Sequence, residues 1–194
     1  MNKICCYTGH RPKKFTFQYN EQHPDCIKIK TLIRQETEKA IKDGYDYFIS
    51  GMALGVDMWA AEAVLELKKK YPHIKLESAV PCLNQERTWP VPFQQRYRNI
   101  LNQADVVNYV NKEAYQPYLM IQRDKYMVDK SSMLIAVFDG SKGGTKHTFD
   151  YALEKGIYII RIDPIAWAVT NIQKEKQMEN EQFTLFNLKN KTLK

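Results

Sequence analysis

Residues 133–145 read Met133-Leu134-Ile135-Ala136-Val137-Phe138-Asp139-Gly140-Ser141-Lys142-Gly143-Gly144-Thr145. The first six form an almost unbroken apolar run, the pattern of a strand covered on both faces, as in a parallel sheet. Asp139 and Gly140 stop the run. Gly143-Gly144-Thr145 then opens a stretch of helical spacing, Phe149, Ala152 and Leu153, closed by Gly156 as a C-cap. A second buried-strand run, Ile157–Ile162, follows at once. Outward from this unit, strands are predicted at Ile4–Tyr7, Tyr45–Ile49, Ile74–Val80 and Asp105–Val110. Helices are predicted at 27–43, ended by Gly44, and at 56–67, where Val56, Trp59, Ala60, Ala63, Val64 and Leu67 share one face. Another carries Phe93, Tyr97, Ile100, Leu101 and Ala104, and Pro90, Pro92 and Pro117 stand near helix starts. Six strands alternating with five helices predict an α/β fold with parallel strands and right-handed crossovers. One domain is expected over 1–164, and residues 165–194, without glycine and rich in Lys, Glu, Gln and Asn, read as a polar, partly helical tail.

Composition narrows the function classes. With 44% hydrophobic residues the chain can build a core, which excludes a disordered protein. No apolar run approaches the roughly 18–20 residues of a membrane span, and the N-terminal run is too short for a signal peptide. A cytoplasmic protein is expected. Cys5, Cys6, Cys26 and Cys82 lack C-x-x-C spacing and read as core thiols rather than zinc ligands, Cys5 and Cys6 pointing to opposite faces of a strand. The net charge of +7 suits a nucleic-acid or phosphate partner, or solubility alone.

The eight glycines are more informative than the charge. Gly44 and Gly156 are explained as helix ends. Gly9, Gly51, Gly55, Gly140, Gly143 and Gly144 all follow the ends of strands one, two and five. Open parallel sheets bind ligands at that edge, where glycine lets backbone N–H groups approach a phosphate. In the first loop Arg11 could fork onto a phosphate, and His10 could donate to one or titrate; each could equally be a solvated loop residue. In the second loop, Ser50 to Asp57, the Gly-Lys-Ser/Thr ending of a Mg-ATP loop is absent. Asp57 caps the following helix, orients the loop or accepts from a ribose or base. In the third, Gly143 and Gly144 offer N–H groups, Thr145 a hydroxyl, and Asp139 holds the loop or a ribose. His147 reads as an exposed helix residue. No Ser/His/Asp order and no His-x-x-x-His spacing stands out.

Five segments, TGHRP (8–12), SGMALGVD (50–57), AVPCLNQERTW (79–89), RDKYMVDKSSMLIAVFDG (123–140) and GGTKHTFDYA (143–152), together resemble the SLOG superfamily, in its YpsA-like branch. The resemblance implies a Rossmann-like three-layer sandwich with a mostly parallel six-stranded sheet. It also implies binding or sensing of a nucleotide or nucleotide-derived ligand, such as ADP-ribose, NAD or a nucleoside phosphate, in a regulatory role. Gly9, Arg11, Gly51, Gly55, Asp57, Gly143, Gly144 and Thr145 would line the site. Arg123 would reach a phosphate or pair with Asp129, and Trp89 and Tyr97 would stack a base or pack the core. No cofactor beyond such a nucleotide is implied.

Related branches are the cytokinin-activating phosphoribohydrolases and DNA-processing protein A. The phosphoribohydrolases carry a glutamate three residues beyond the threonine of their P-G-G-x-G-T segment, where this chain has Thr148. The acid–base group for N-glycosidic cleavage is thus missing, which favours binding over a nucleotide N-glycosidase. Single-stranded DNA is the other alternative. Gln182-Phe183-Thr184-Leu185-Phe186 resembles the Q-x-x-L-F peptide that docks on the bacterial sliding clamp, with Gln182, Leu185 and Phe186 as anchors. Packing of those side chains onto the domain is the alternative there. A homodimer through outer helix faces is a further candidate assembly.

Overall fold

The computed structural model describes residues 3–172. Along the chain run β1 (Lys3–Gly9), a 3-10 turn (Pro12–Lys14), α1 (Pro24–Lys42), β2 (Tyr45–Ser50), α2 (Val56–Lys68), β3 (Lys75–Val80), α3 (Val91–Gln103), β4 (Val106–Tyr109), α4 (Pro117–Lys130), β5 (Met133–Val137), α5 (Gly144–Lys155), β6 (Tyr158–Ile162) and β7 (Val169–Asn171). The sheet order is β4-β3-β2-β1-β5-β6-β7. Strands β1 to β6 pair in parallel, and β7 runs antiparallel to β6.

Alternation along the strands sorts the core into two layers. Cys5 and Tyr7 of β1, with Ile135 and Val137 of β5, join the layer holding Ile29 and Ile33 of α1 and Ala60 and Val64 of α2. Cys6, Leu134 and Ala136 join Met127 and Val128 of α4 and Phe149 and Ala152 of α5 on the other face. This is the period of two that a strand imposes, and it separates the adjacent cysteines as expected. Helix ends follow local chemistry. His23 Nδ1 accepts from the Asp25 N–H at 3.2 Å, Pro24 opens α1, and Gly156 ends α5 in the left-handed region at φ 69°. Among the described residues no helix is long and apolar enough to cross a membrane.

The sheet exceeds the six strands read from the sequence. Strand β7 lies inside the segment read as tail, so the sheet runs past residue 164. Its three exposed residues carry no apolar period; a turn creates it instead. Asp163 Oδ1 accepts from the N–H groups of Ile165 and Ala166, both at 2.9 Å, and the Asp163 N–H donates to Ala168 at 2.8 Å. The clamp-like peptide Gln182–Phe186 lies outside the described residues.

The topology also places the site. The chain lays β1 to β4 outward in one direction, then crosses back to set β5 on the other side of β1. The loops after β1 and β5 therefore diverge and open a crevice at the C-terminal edge.

Candidate functional site

Strands β1 and β5 leave the sheet side by side, with Thr8 opposite Ala136 and Gly9 opposite Val137. His10 follows one strand and Asp139 the other. His10 is 5% exposed, its Nε2 lies 2.8 Å from Asp139 Oδ1, and its Nδ1 lies 3.4 Å from Thr145 Oγ1. The rings of Phe15 and Phe138 meet the imidazole edge-on, each with centroids 5.9 Å away. Burial alone would raise the Asp139 carboxyl. The Ser141 N–H and His10 outweigh it and hold the group well below the usual carboxylate range.

The second loop is held by its own polar groups. Ser50 Oγ donates to the Asp57 carbonyl at 2.7 Å and accepts from the Met52 N–H at 3.2 Å. Met52 adopts a left-handed backbone, φ 58°, while its side chain is fully buried. Gln85 Nε2 donates to the Met52 carbonyl at 2.9 Å and ties in the loop after β3. At Gly55, φ 94°, a Cβ would stand 2.9 Å from both the His10 carbonyl oxygen and Pro12 Cδ. Only glycine lets the first two loops approach there.

Asp57, in the first turn of α2, is buried and accepts from the Ala53 N–H at 3.2 Å, so its structural part is to orient the loop. Arg123 of α4 lies 3.6 Å from Asp57 Oδ2, donates to Asp124 Oδ1 at 2.8 Å and donates to the Gly51 carbonyl. The Arg123–Asp129 pair, one of the two alternatives for Arg123, does not form. Six positions along a helix turn a side chain about 240° around the axis, onto another face. Asp129 instead accepts from the Tyr151 hydroxyl at 2.9 Å and pairs with Lys155 at 2.8 Å.

Burial pushes the Asp57 carboxyl up to about 6, although Arg123 opposes the shift. Its folded value thus exceeds its ordinary value of 3.8, so the native state holds the extra proton between those pH values. Stability from this group is fully present below the ordinary value and is lost as pH rises to about 6. We expect a fall of about 1–3 kcal/mol over that window, absent in Asp57→Asn, as read from urea unfolding at a series of pH values. A slope unchanged in the variant would assign the titration to another group.

These loops enclose a cavity of about 270 Å³. Of the residues the sequence singled out, Gly9, His10, Arg11, Asp57, Arg123, Gly143, Gly144 and Thr145 line this one cavity. Gly51, Gly55 and Asp139 stand behind the wall and shape it. Lys14, Lys142, Met120 and Asp124 line it as well, with Thr8 and Ala53. Lys14 carries no motif that would have marked it, and Asp124 lies in the segment 123–140 without a role assigned to it there. Among the described residues Arg11, Lys14 and Lys142 make no ion pair, whereas Asp57 and Asp124 are both taken by Arg123. The cavity thus presents four cations to two carboxylates.

Arg11 and Met120 also line a second, larger cavity of about 600 Å³, so the two lie side by side at this edge. Its walls are the loop after β3, with Arg87, Thr88 and Trp89, and Tyr115 before α4. Trp89 faces this space. Tyr97 does not: it is 2% exposed and packs edge-on to Trp89 with centroids 5.5 Å apart, a core position.

Known proteins share this framework. Residues 5–158 match the family model described as the YspA SLOG family. A UPF0398 protein of Brevibacillus brevis is 36% identical over 173 residues, which cover 85% of this chain and 91% of that one. A UPF0398 protein of Bacillus thuringiensis is 34% identical over 156 residues, 79% of this chain and 84% of its own. Among solved structures, DNA processing protein A of Streptococcus pneumoniae superposes with a TM-score of 0.59 at 17% identity, over 84% of this chain but only 50% of that protein. The Helicobacter pylori counterpart, whose structure concerns a single-stranded DNA binding mode, gives 0.58 at 16% identity over 98% of this chain and 80% of that one. At such identity the likeness is one of fold. The sequence match, running from β1 through α5 and covering the loops that build the cleft, shows that the chain belongs to the YspA SLOG family.

Proposed function

We propose that the cleft binds a nucleotide or nucleotide-derived phosphate ligand, of the ADP-ribose, NAD or nucleoside phosphate kind, and that binding rather than glycosidic cleavage is its purpose. The carrying observation is the narrow cavity: Arg11, Lys14 and Lys142, unpaired among the described residues, surround the N-terminal turn of α5. The N–H groups of that turn lack intrahelical acceptors, which suits a phosphate. The wider cavity, with Trp89 and Tyr115 in its wall, has the volume of a small-molecule pocket and suits a base and sugar. Thr148, in place of the phosphoribohydrolase glutamate, has its hydroxyl oxygen 3.0 Å from Asp124 Oδ2 and 3.1 Å from the Gly144 carbonyl oxygen. It thus serves the α4–α5 contact and supplies no acid.

The test is melting temperature against ADP-ribose, NAD, AMP, ADP and inorganic phosphate. A ligand at 100 times its Kd stabilises by about 2.7 kcal/mol. Arg11→Ala with Lys142→Ala, both exposed, should fold normally and lose that stabilisation. No response to any ligand refutes the reading. A response only to oligo(dT), falling steeply with salt, would transfer the site to single-stranded DNA, the ligand of the H. pylori protein.

A further inference from the structure

We propose that Thr145, His10 and Asp139 act as nucleophile, general base and orienting carboxylate, and that the narrow cavity cleaves small anionic esters through an acyl-Thr145 intermediate. Asp139 is held ionised and can only accept, so the proton on His10 sits on Nε2, 2.8 Å away. Nδ1 is then an acceptor aimed at the Thr145 hydroxyl, a long hydrogen bond at 3.4 Å. Phe15 and Phe138 fix the ring plane. Thr145 lines the cavity in the first turn of α5, where the N–H groups of Gly144, Thr145 and Lys146 lack intrahelical acceptors and can receive an oxyanion. The surrounding cations select a negatively charged acyl compound, and the 270 Å³ volume keeps it small.

In the first step Thr145 Oγ1 bonds to the acyl carbon while its proton passes to His10 Nδ1. The ester C–O bond breaks, and the departing alcohol takes that proton. Water then attacks the acyl carbon and gives a proton to Nδ1. The bond to Oγ1 breaks, Thr145 regains the proton, and the acid leaves. Ester plus water yields acid plus alcohol.

The ligand's charge rests on the binding reading; the chemistry does not. The probe is the 4-nitrophenyl hemiester of succinate, with 4-nitrophenyl acetate as the neutral control. Wild type should release nitrophenolate faster from the anionic ester. Thr145→Val should be slower by at least about 100-fold, the low end for losing the catalysed proton transfer, with Thr145→Ser within about tenfold of wild type. Asp139→Asn, as a positioning residue, should lower kcat and leave KM near its wild-type value. Intact-protein and peptide mass spectrometry at short times should find the succinyl group on Thr145. Turnover no faster than buffer, Thr145→Val at the wild-type rate, or the acyl group only on other residues would overturn the inference. If Thr145→Val melts early, the adduct site in wild type still decides. Nucleotide stabilisation without turnover sinks this inference alone; turnover without nucleotide stabilisation sinks only the binding reading.

Discussion

Arg123→Ala should cost about 3–5 kcal/mol of folding stability, the range for removing one partner of a buried ion pair. The guanidinium is 5% exposed and answers two carboxylates and a carbonyl at once. Without it Asp57 and Asp124 face each other across a dry wall, and the Gly51 carbonyl loses its donor. Asp57 is already held partly protonated by burial, so part of the loss is relieved by proton uptake at low pH. Asp57→Asn should therefore cost less in the Arg123→Ala background than alone. Urea unfolding measures both; a loss below about 1 kcal/mol for Arg123→Ala would show that water reaches the cluster.

The second large effect is at Gly51. A Cβ there would overlap the Arg123 guanidinium and stand 2.7 Å from Asp57 Oδ2. We expect Gly51→Ala to cost about 1–3 kcal/mol, as for overpacking generally. Because the closest obstacle is the Arg123 side chain, the cost should shrink in the Arg123→Ala background, leaving only the Asp57 contact, and the coupling is the readout of a double-mutant cycle. Additive costs would place the obstruction in the backbone.

The sheet and its glycine-rich edge were legible because both are written locally. Apolar runs such as Met133–Phe138 mark buried strands, and glycines after strand ends mark the edge, where loops approach a ligand or one another. Partnerships between elements were not. Thr145 and Asp139 are 135 and 129 residues from His10, and only the pairing of β1 with β5 brings them together. No order of Ser, His and Asp in the chain could have shown that. Arg123 stood out as a candidate, but its partners depend on which face of α4 meets the second loop. Lys14 joins the cavity through a 3-10 turn that Pro12 starts, and β7 exists through the Asp163 turn rather than through any apolar period. Both are local hydrogen-bonding events with no composition behind them.

The two ends of the cleft differ in how freely they can change. The inner wall of the narrow end is made of backbone, glycine and a buried charge cluster, so a substitution in that wall, unlike one at the exposed Arg11, Lys14 or Lys142, is also a substitution in the fold. The wide end is made of side chains on the loop after β3 and on Tyr115, and of that loop's lining residues only Gln85 is fully committed to the interior, through Met52. Leu83, Arg87, Thr88 and Tyr115 are surface residues that can be exchanged at little structural expense. On the proposed binding reading, a grip on an anionic group could therefore be kept while the rest of the ligand is reselected, one exposed side chain at a time.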